Sequence, residues 1–124
     1  MIEAKKPIVG HNLAYDVFYL YQQFIDDLPE DYETFIKEWT KLFPSTYDTK
    51  VMSYKSRLFN NTALDAIYHD CIVKSLINNS TTKVNYSVAM CKYRNTKLAD
   101  NHHEAGFDAH MTGYAFVKIA LYMQ

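Results

Sequence analysis

The stretch Lys6-Pro7-Ile8-Val9-Gly10-His11-Asn12, running on into Leu13-Ala14-Tyr15-Asp16-Val17, decides the fold class. Pro7 to Asn12 reads as a short buried strand that ends at polar residues. Directly after it, Leu13, Val17, Leu20 and Phe24 fall at i, i+4, i+7 and i+11, the apolar face of an amphipathic helix. A buried strand that feeds a helix of this kind is the opening of an α/β arrangement.

Working outward, Leu28-Pro29 breaks the first helix. Asp31 to Leu42 predicts a second one, with acids in its first turn and Lys41 in its last, as the helix dipole favours. Pro44 closes that element. Thr46 to Met52 fits a strand or an extended connector. Asn61 or Thr62 caps a helix running to about Leu76, and Asn78-Asn79-Ser80-Thr81-Thr82 is a polar loop. Phe107, Met111, Tyr114, Val117 and Leu121 mark a long C-terminal helix. No internal repeat occurs. The expected architecture is a helix-rich α/β domain with one or two strands, short of sheet.

Composition bounds the rest. The chain has 124 residues and a formal net charge of -1, a length that fits one domain. Its 48% apolar and 22% charged residues exclude wholesale disorder, and three glycines with three prolines exclude collagen-like and linker-like chains. No apolar run reaches the roughly 18–20 residues of a membrane span. Met1 to Pro7 is charged, without the apolar core of a signal peptide. The two cysteines, Cys71 and Cys91, are too few for a disulfide scaffold, so a reduced, intracellular chain is expected. Tyrosine is abundant, at 11 residues; the rings suit either packing or base stacking.

The charge is unevenly distributed. Asp26, Asp27, Glu30, Asp31 and Glu33 crowd one short segment, whereas no acid lies between Asp70 and Asp100. That acid-free stretch holds Lys74, Lys83, Lys92, Arg94 and Lys97 with Tyr86 and Tyr93 among them. Basic side chains with interleaved aromatics suit a nucleic-acid strand, and equally describe a solvated loop. Two acids stand at helix starts: Asp16 after the first strand, and Asp108 leading into the last helix. Each can be a hard oxygen ligand for magnesium or manganese, or simply a residue that favours the dipole. A zinc site is disfavoured. His102-His103-Glu104 lacks a second histidine at position 107, and His69, Cys71, Cys91 and His102 lack paired ligand spacing.

Lys6-Pro7-Ile8-Val9-Gly10-His11-Asn12 with Asp16 resembles the second exonuclease motif of the poly(A)-specific ribonuclease family, of the DEDD type with a histidine base. His103-Glu104-Ala105-Gly106-Phe107-Asp108-Ala109 resembles its third. Leu28-Pro29, Phe43-Pro44, Tyr47-Asp48-Thr49-Lys50 and Asn60-Asn61-Thr62 look like that family too, in the same order. The resemblance implies a partial ribonuclease-H-like exonuclease fold, with residues 1–124 as the C-terminal portion of one nuclease domain. It also implies a metal-dependent 3′-to-5′ exoribonuclease, a deadenylase that releases 5′-AMP from poly(A) tails in the cytoplasm or nucleus. In such enzymes four acids bind two Mg2+ or Mn2+ ions about 3.5–4 Å apart, one ion activating water and the other stabilising the leaving 3′-oxygen. Asp16 and Asp108 match the second and fourth acids and His103 the general base. Lys50 is expected to reach a phosphate, and Asn12 either to touch RNA near the scissile end or to tie down the strand.

The first motif, an Asp-x-Glu pair, has no counterpart before Pro7. Asp31-Tyr32-Glu33 has its letters but follows Pro29 in an acidic helix start, so it reads as capping. The N-terminal strands are therefore expected to be missing along with that pair, and the missing half of the domain is an expected partner. An isolated half-site should trim RNA poorly. Its open sheet edge and apolar patch should favour self-association. Asp16, His103 and Asp108 should meet at one end of the sheet. The alternative is a non-catalytic half-nuclease, serving as an RNA-binding or protein-interaction module.

Overall fold

The computed structural model describes residues 2–73 and 104–124. Lys83, Lys92, Arg94, Lys97 and His103, with the polar tract 78–82, lie outside the described residues. The chain divides into two compact units, Met1–Asp48 and Thr49–Gln124. Among the described residues the arrangement is helix-rich α/β with one pair of parallel strands.

In the first unit a 3₁₀ turn, Ile2–Ala4, precedes β1 (Ile8–Gly10), α1 (Ala14–Phe24), α2 (Tyr32–Leu42) and β2 (Thr46–Asp48). β1 and β2 pair in parallel, with Ile8 opposite Thr46, Val9 opposite Tyr47 and Gly10 opposite Asp48. Parallel pairing needs a crossover, and α1 with α2 supplies it. The core is aromatic: Tyr21, Phe35, Trp39 and Phe43 are buried, with Ile8, Val17, Phe18, Leu20, Ile25 and Leu42 half-buried around them. Phe35 and Trp39 stand four apart on α2 and bury one helix face. Ring centroids lie 4.7 Å apart for Phe18 and Phe35, and 4.6 Å apart for Trp39 and Phe43. The Trp39 Nε1–H donates to Thr46 Oγ1 at 3.0 Å, and that hydroxyl donates to the Phe43 carbonyl at 3.1 Å. The buried indole is thereby satisfied, and α2 is tied to β2.

Helix α2 begins as its sequence predicts. Asp31 has extended backbone, and its carboxylate accepts the Thr34 N–H at 2.8 Å and the Thr34 hydroxyl at 2.7 Å. Asp31-Tyr32-Glu33 is thus a helix cap, as the sequence suggested.

Two expectations for this unit are corrected. β1 is half-buried rather than buried, since its described pairing is with β2 alone. The buried residue of α1 is Tyr21, whereas Phe24 is 79% exposed. Tyr21 wins the inner position because its ring packs edge-on against Phe35 while its hydroxyl donates to Glu38. That bond, with burial and the negative charges of Glu38 and Asp26, pushes the phenol up to about 12. Phe24 instead lines an apolar cavity of about 420 Å³ with Ile2, Leu20, Ile25 and Phe43.

The second unit contains α3 (Thr49–Ser56), α4 (Leu64–Val73) and α5 (Ala105–Met123), and α5 packs against both α3 and α4. Ile67, Cys71, Ala115 and Ile119 form one buried cluster, and Tyr68, Phe107 and Met111 another. The segment expected to be strand or connector to Met52 instead turns helical at Thr49. The inward face of α3 is made by Thr49 and Ser53, both fully buried, so hydropathy gave no helical period to read. Ser53 and Ser56 hydroxyls donate back to the carbonyls of Lys50 and Ser53 at 2.8 Å, which lets serines sit inside a helix. Ahead of α4, Asn61 Oδ1 accepts the Ala63 N–H at 2.9 Å. On α5 the buried stripe is Phe107, Met111, Ala115 and Ile119 rather than one ending at Val117 and Leu121. Ala115 marks a close helix approach, which a reading weighted toward bulky residues passes over.

Candidate functional site

The first unit builds a tight corner between β1 and α1. An added Cβ on Gly10 would lie 2.3 Å from Leu13 Cδ2, so a side chain there would have to displace the Leu13 side chain. Asn12 has φ 61, the left-handed region that asparagine tolerates better than most residues. Leu13 occupies the N-cap of α1 and offers no side-chain cap. The cap comes from β2. Asp48 Oδ1 accepts the Asn12 N–H at 3.0 Å, and Asp48 Oδ2 accepts the Leu13 N–H at 2.9 Å. The first helical bond follows, Val17 N–H to Leu13 carbonyl at 3.0 Å.

Asp16 lies in the first turn of α1 and is exposed. Its carboxylate has no hydrogen-bond or ion-pair partner among the described residues. In the second unit Asp108 lies in the first turn of α5, half-buried, and its carboxylate likewise has no partner among the described residues. Its own N–H donates to the Glu104 carbonyl at 2.9 Å. Beside it Phe107 is fully buried, packed edge-on against Tyr68. One turn on, His110 is enclosed by Tyr68, Phe107 and Tyr114, with Nε2 3.3 Å from the Tyr68 hydroxyl. Burial lowers the His110 pKa, so the ring is neutral near pH 7. Lys50 is exposed on α3, which packs on α5.

Asp16 and Asp108 therefore each present carboxylate oxygens that no described residue occupies, the donor type that Mg2+ and Mn2+ take. Each, taken by itself, is of the donor type that suits a divalent ion. No group of three or more His, Cys, Asp or Glu side chains is poised for a metal among the described residues. Asp48 is different in kind, since both of its oxygens are engaged by backbone amides. Of the side chains weighed for zinc, Cys91 and His102 lie outside the described residues. Cys71 packs against Ile67, Ala115 and Ile119, and burial pushes its thiol up to about 11. His69 points toward Asp70, at 3.9 Å, from an exposed position. The residue that sequence reasoning missed is Asp48. It stood within the segment Tyr47-Asp48-Thr49-Lys50, but a carboxylate at a strand end does not reveal which distant amides it serves.

The comparisons accord with this picture. A profile described as CAF1 family ribonuclease matches residues 1–116. The chain is 32% identical over 123 residues to the pre-piRNA 3′-exonuclease trimmer of Bombyx mori, covering 93% of this chain and 22% of that protein. It is 32% identical over 127 residues to the human poly(A)-specific ribonuclease PNLDC1, covering 97% of this chain and 24% of the relative. With the human poly(A)-specific ribonuclease PARN it shares 33% over 122 residues, 95% of this chain and 18% of the relative. The chain thus spans about a fifth of the length of the relatives it matches. The motif segments around Asp16 and Asp108, the helix-rich α/β fold of ribonuclease-H-like type and this coverage agree, and the chain belongs to the CAF1 family of ribonucleases.

Proposed function

We propose that this chain carries part of the site of a metal-dependent 3′-to-5′ exoribonuclease that acts on poly(A) tails and yields 5′-AMP. The observation that carries the reading is the coincidence of the family match with two carboxylates, each in a first helical turn and each without a partner among the described residues. Relatives described as poly(A)-specific ribonucleases support the choice of substrate. Asp16 and Asp108 would hold Mg2+ or Mn2+ as the second and fourth acids. The ions, when bound, supply Lewis acidity at the attacking water and at the leaving 3′-oxygen. His103 takes the proton from that water as it attacks phosphorus, and the bond to the 3′-oxygen breaks. Lys50, Lys92, Arg94 and Lys97 hold backbone phosphates. Asn12 stands at the corner beside Asp16 and contacts the RNA near its scissile end. With two of four carboxylates, the 124 residues alone trim RNA weakly.

The test has two arms. Fluorescence-anisotropy titrations of an A-tract and an equal-length U-tract, at several salt concentrations, should show tighter A-tract binding that falls steeply with salt. Changing Lys92, Arg94 and Lys97 together to alanine should reduce the salt slope by roughly two units, at about 0.7 per phosphate contact on single strands. Equal binding of both RNAs with an unchanged slope would overturn the substrate assignment. In the second arm, A-tailed RNA is incubated with the chain and Mn2+. Robust trimming that Asp108→Ala abolishes would overturn the half-site reading and leave the nuclease assignment standing.

A further inference from the structure

We propose that Asp48 is a positioning residue: its carboxylate clamps the β1–α1 corner and thereby sets the place and direction of the Asp16 carboxylate. The inference rests on the reading of Asp16 as a metal ligand, but the clamp itself rests on geometry alone. An α-helix begins with N–H groups that its own backbone cannot satisfy, and a side chain of the N-cap residue ordinarily takes one of them. Leu13 has no group with which to do so. Asp48, 35 residues away in sequence, accepts the Leu13 N–H and also the N–H of Asn12. Both bonds are charge-assisted, and the negative charge sits at the positive end of the α1 dipole.

The clamp acts on a strained turn. Asn12 is in the left-handed region, and the Leu13 side chain packs against Gly10 where a Cβ would otherwise sit. Releasing both amides would free Asn12 to relax toward ordinary backbone angles and rotate the first turn of α1. Asp16, in that first turn, would swing with it. The strand register makes the clamp specific, since Gly10 pairs directly with Asp48. The carboxylate is thus presented to the corner by the sheet itself. Support behind a metal ligand is typically worth about 10–100-fold in metal affinity, and here it would reach Asp16 through the start of α1 rather than through a bond to its carboxylate.

The test uses the whole chain, ¹⁵N-labelled, with Mn2+ alone as probe. In the wild type, amide hydrogen exchange of Asn12 and Leu13 should be slowed well below unprotected rates, although Asn12 is an exposed residue. Unprotected exchange at both amides overturns the clamp, whatever any variant does. Mn2+ should broaden the amide signals of Tyr15, Asp16 and Val17 selectively, and Asp16→Asn should remove that effect. Asp48→Asn keeps the size but sets an amide NH₂ against one of the two donors. It should weaken the Mn2+ titration about tenfold or more while the Trp39 indole signal and the aromatic core stay in place. Unchanged Mn2+ affinity in Asp48→Asn, with Asp16→Asn abolishing the effect, overturns the positioning role. Identical broadening in wild type and Asp16→Asn instead overturns Asp16 as a ligand, and the exchange arm still decides the clamp.

Discussion

Phe107→Ala should be the most damaging single truncation in the second unit. The Phe107 side chain is fully enclosed by Tyr68, Met111 and their neighbours. A buried phenylalanine removes roughly 150–250 Å² from water. At about 25 cal/mol per Å² that is ~4–6 kcal/mol, of which alanine retains a little. Measured truncations of this kind cost about 3–5 kcal/mol, including the cavity left behind. Stability for chains of this size is of order 5–15 kcal/mol, so the variant approaches the threshold of unfolding. In urea, with a slope of roughly 1–3 kcal/mol per molar, the midpoint should fall by about 2 M. The assay is equilibrium unfolding followed by circular dichroism at 222 nm, which reports the helices. Tyr54→Ala, at a position 78% exposed in the same unit, is the control and should move stability by less than about 0.5 kcal/mol. If Phe107→Ala unfolds within about 1 kcal/mol of that control, the residue does not anchor α5. The seating of Asp108, its neighbour in the first helical turn, would then need another cause.

Trp39→Phe keeps a ring in the first core but removes the Nε1–H bond to Thr46; the indole volume and the bond together should cost about 1–3 kcal/mol in a thermal melt, and no change would mean the indole does not join α2 to β2. Asp31 accepts the Thr34 N–H and then its hydroxyl, and these bonds hold its carboxyl below the usual 3.8. A depressed folded-state pKa gives stabilisation that is complete above the unfolded value and lost as pH falls through the folded one. The helicity advantage of wild type over Asp31→Ala should therefore persist at neutral pH and vanish on acidification below about pH 3.8, and a difference constant from pH 6 to pH 2 would contradict the capping role. Ile2 and Phe24, exposed beside the apolar cavity, should promote self-association; sedimentation velocity should show weight-average mass rising with concentration and Phe24→Glu suppressing the rise, whereas a strict monomer at high concentration would count against it.

The helices whose apolar residues are bulky and whose caps are local were legible in the letters. α2 is the clearest case: the acids at its start, the capping reading of Asp31-Tyr32-Glu33 and Lys41 in its last turn marked it, and the structure places it at Tyr32–Leu42 with Asp31 as N-cap. The placing of Asp16 and Asp108 near helix starts was equally local, and the motif segments pointed to the family that the comparisons show. What tertiary structure decided is whatever depends on partners far along the chain. Tyr21 rather than Phe24 faces the core because Phe35 and Glu38 on α2 receive its two ends. Thr49 and Ser53 are interior because α5 covers them, and a hydroxyl carries no hydropathy signal of burial. The cap of α1 is the sharpest instance. Capping is a short-range geometric demand on an amide, but the acceptor need only be close in space. Parallel pairing of β1 with β2 brings Asp48 to Leu13 across a crossover that no local pattern in the sequence encodes.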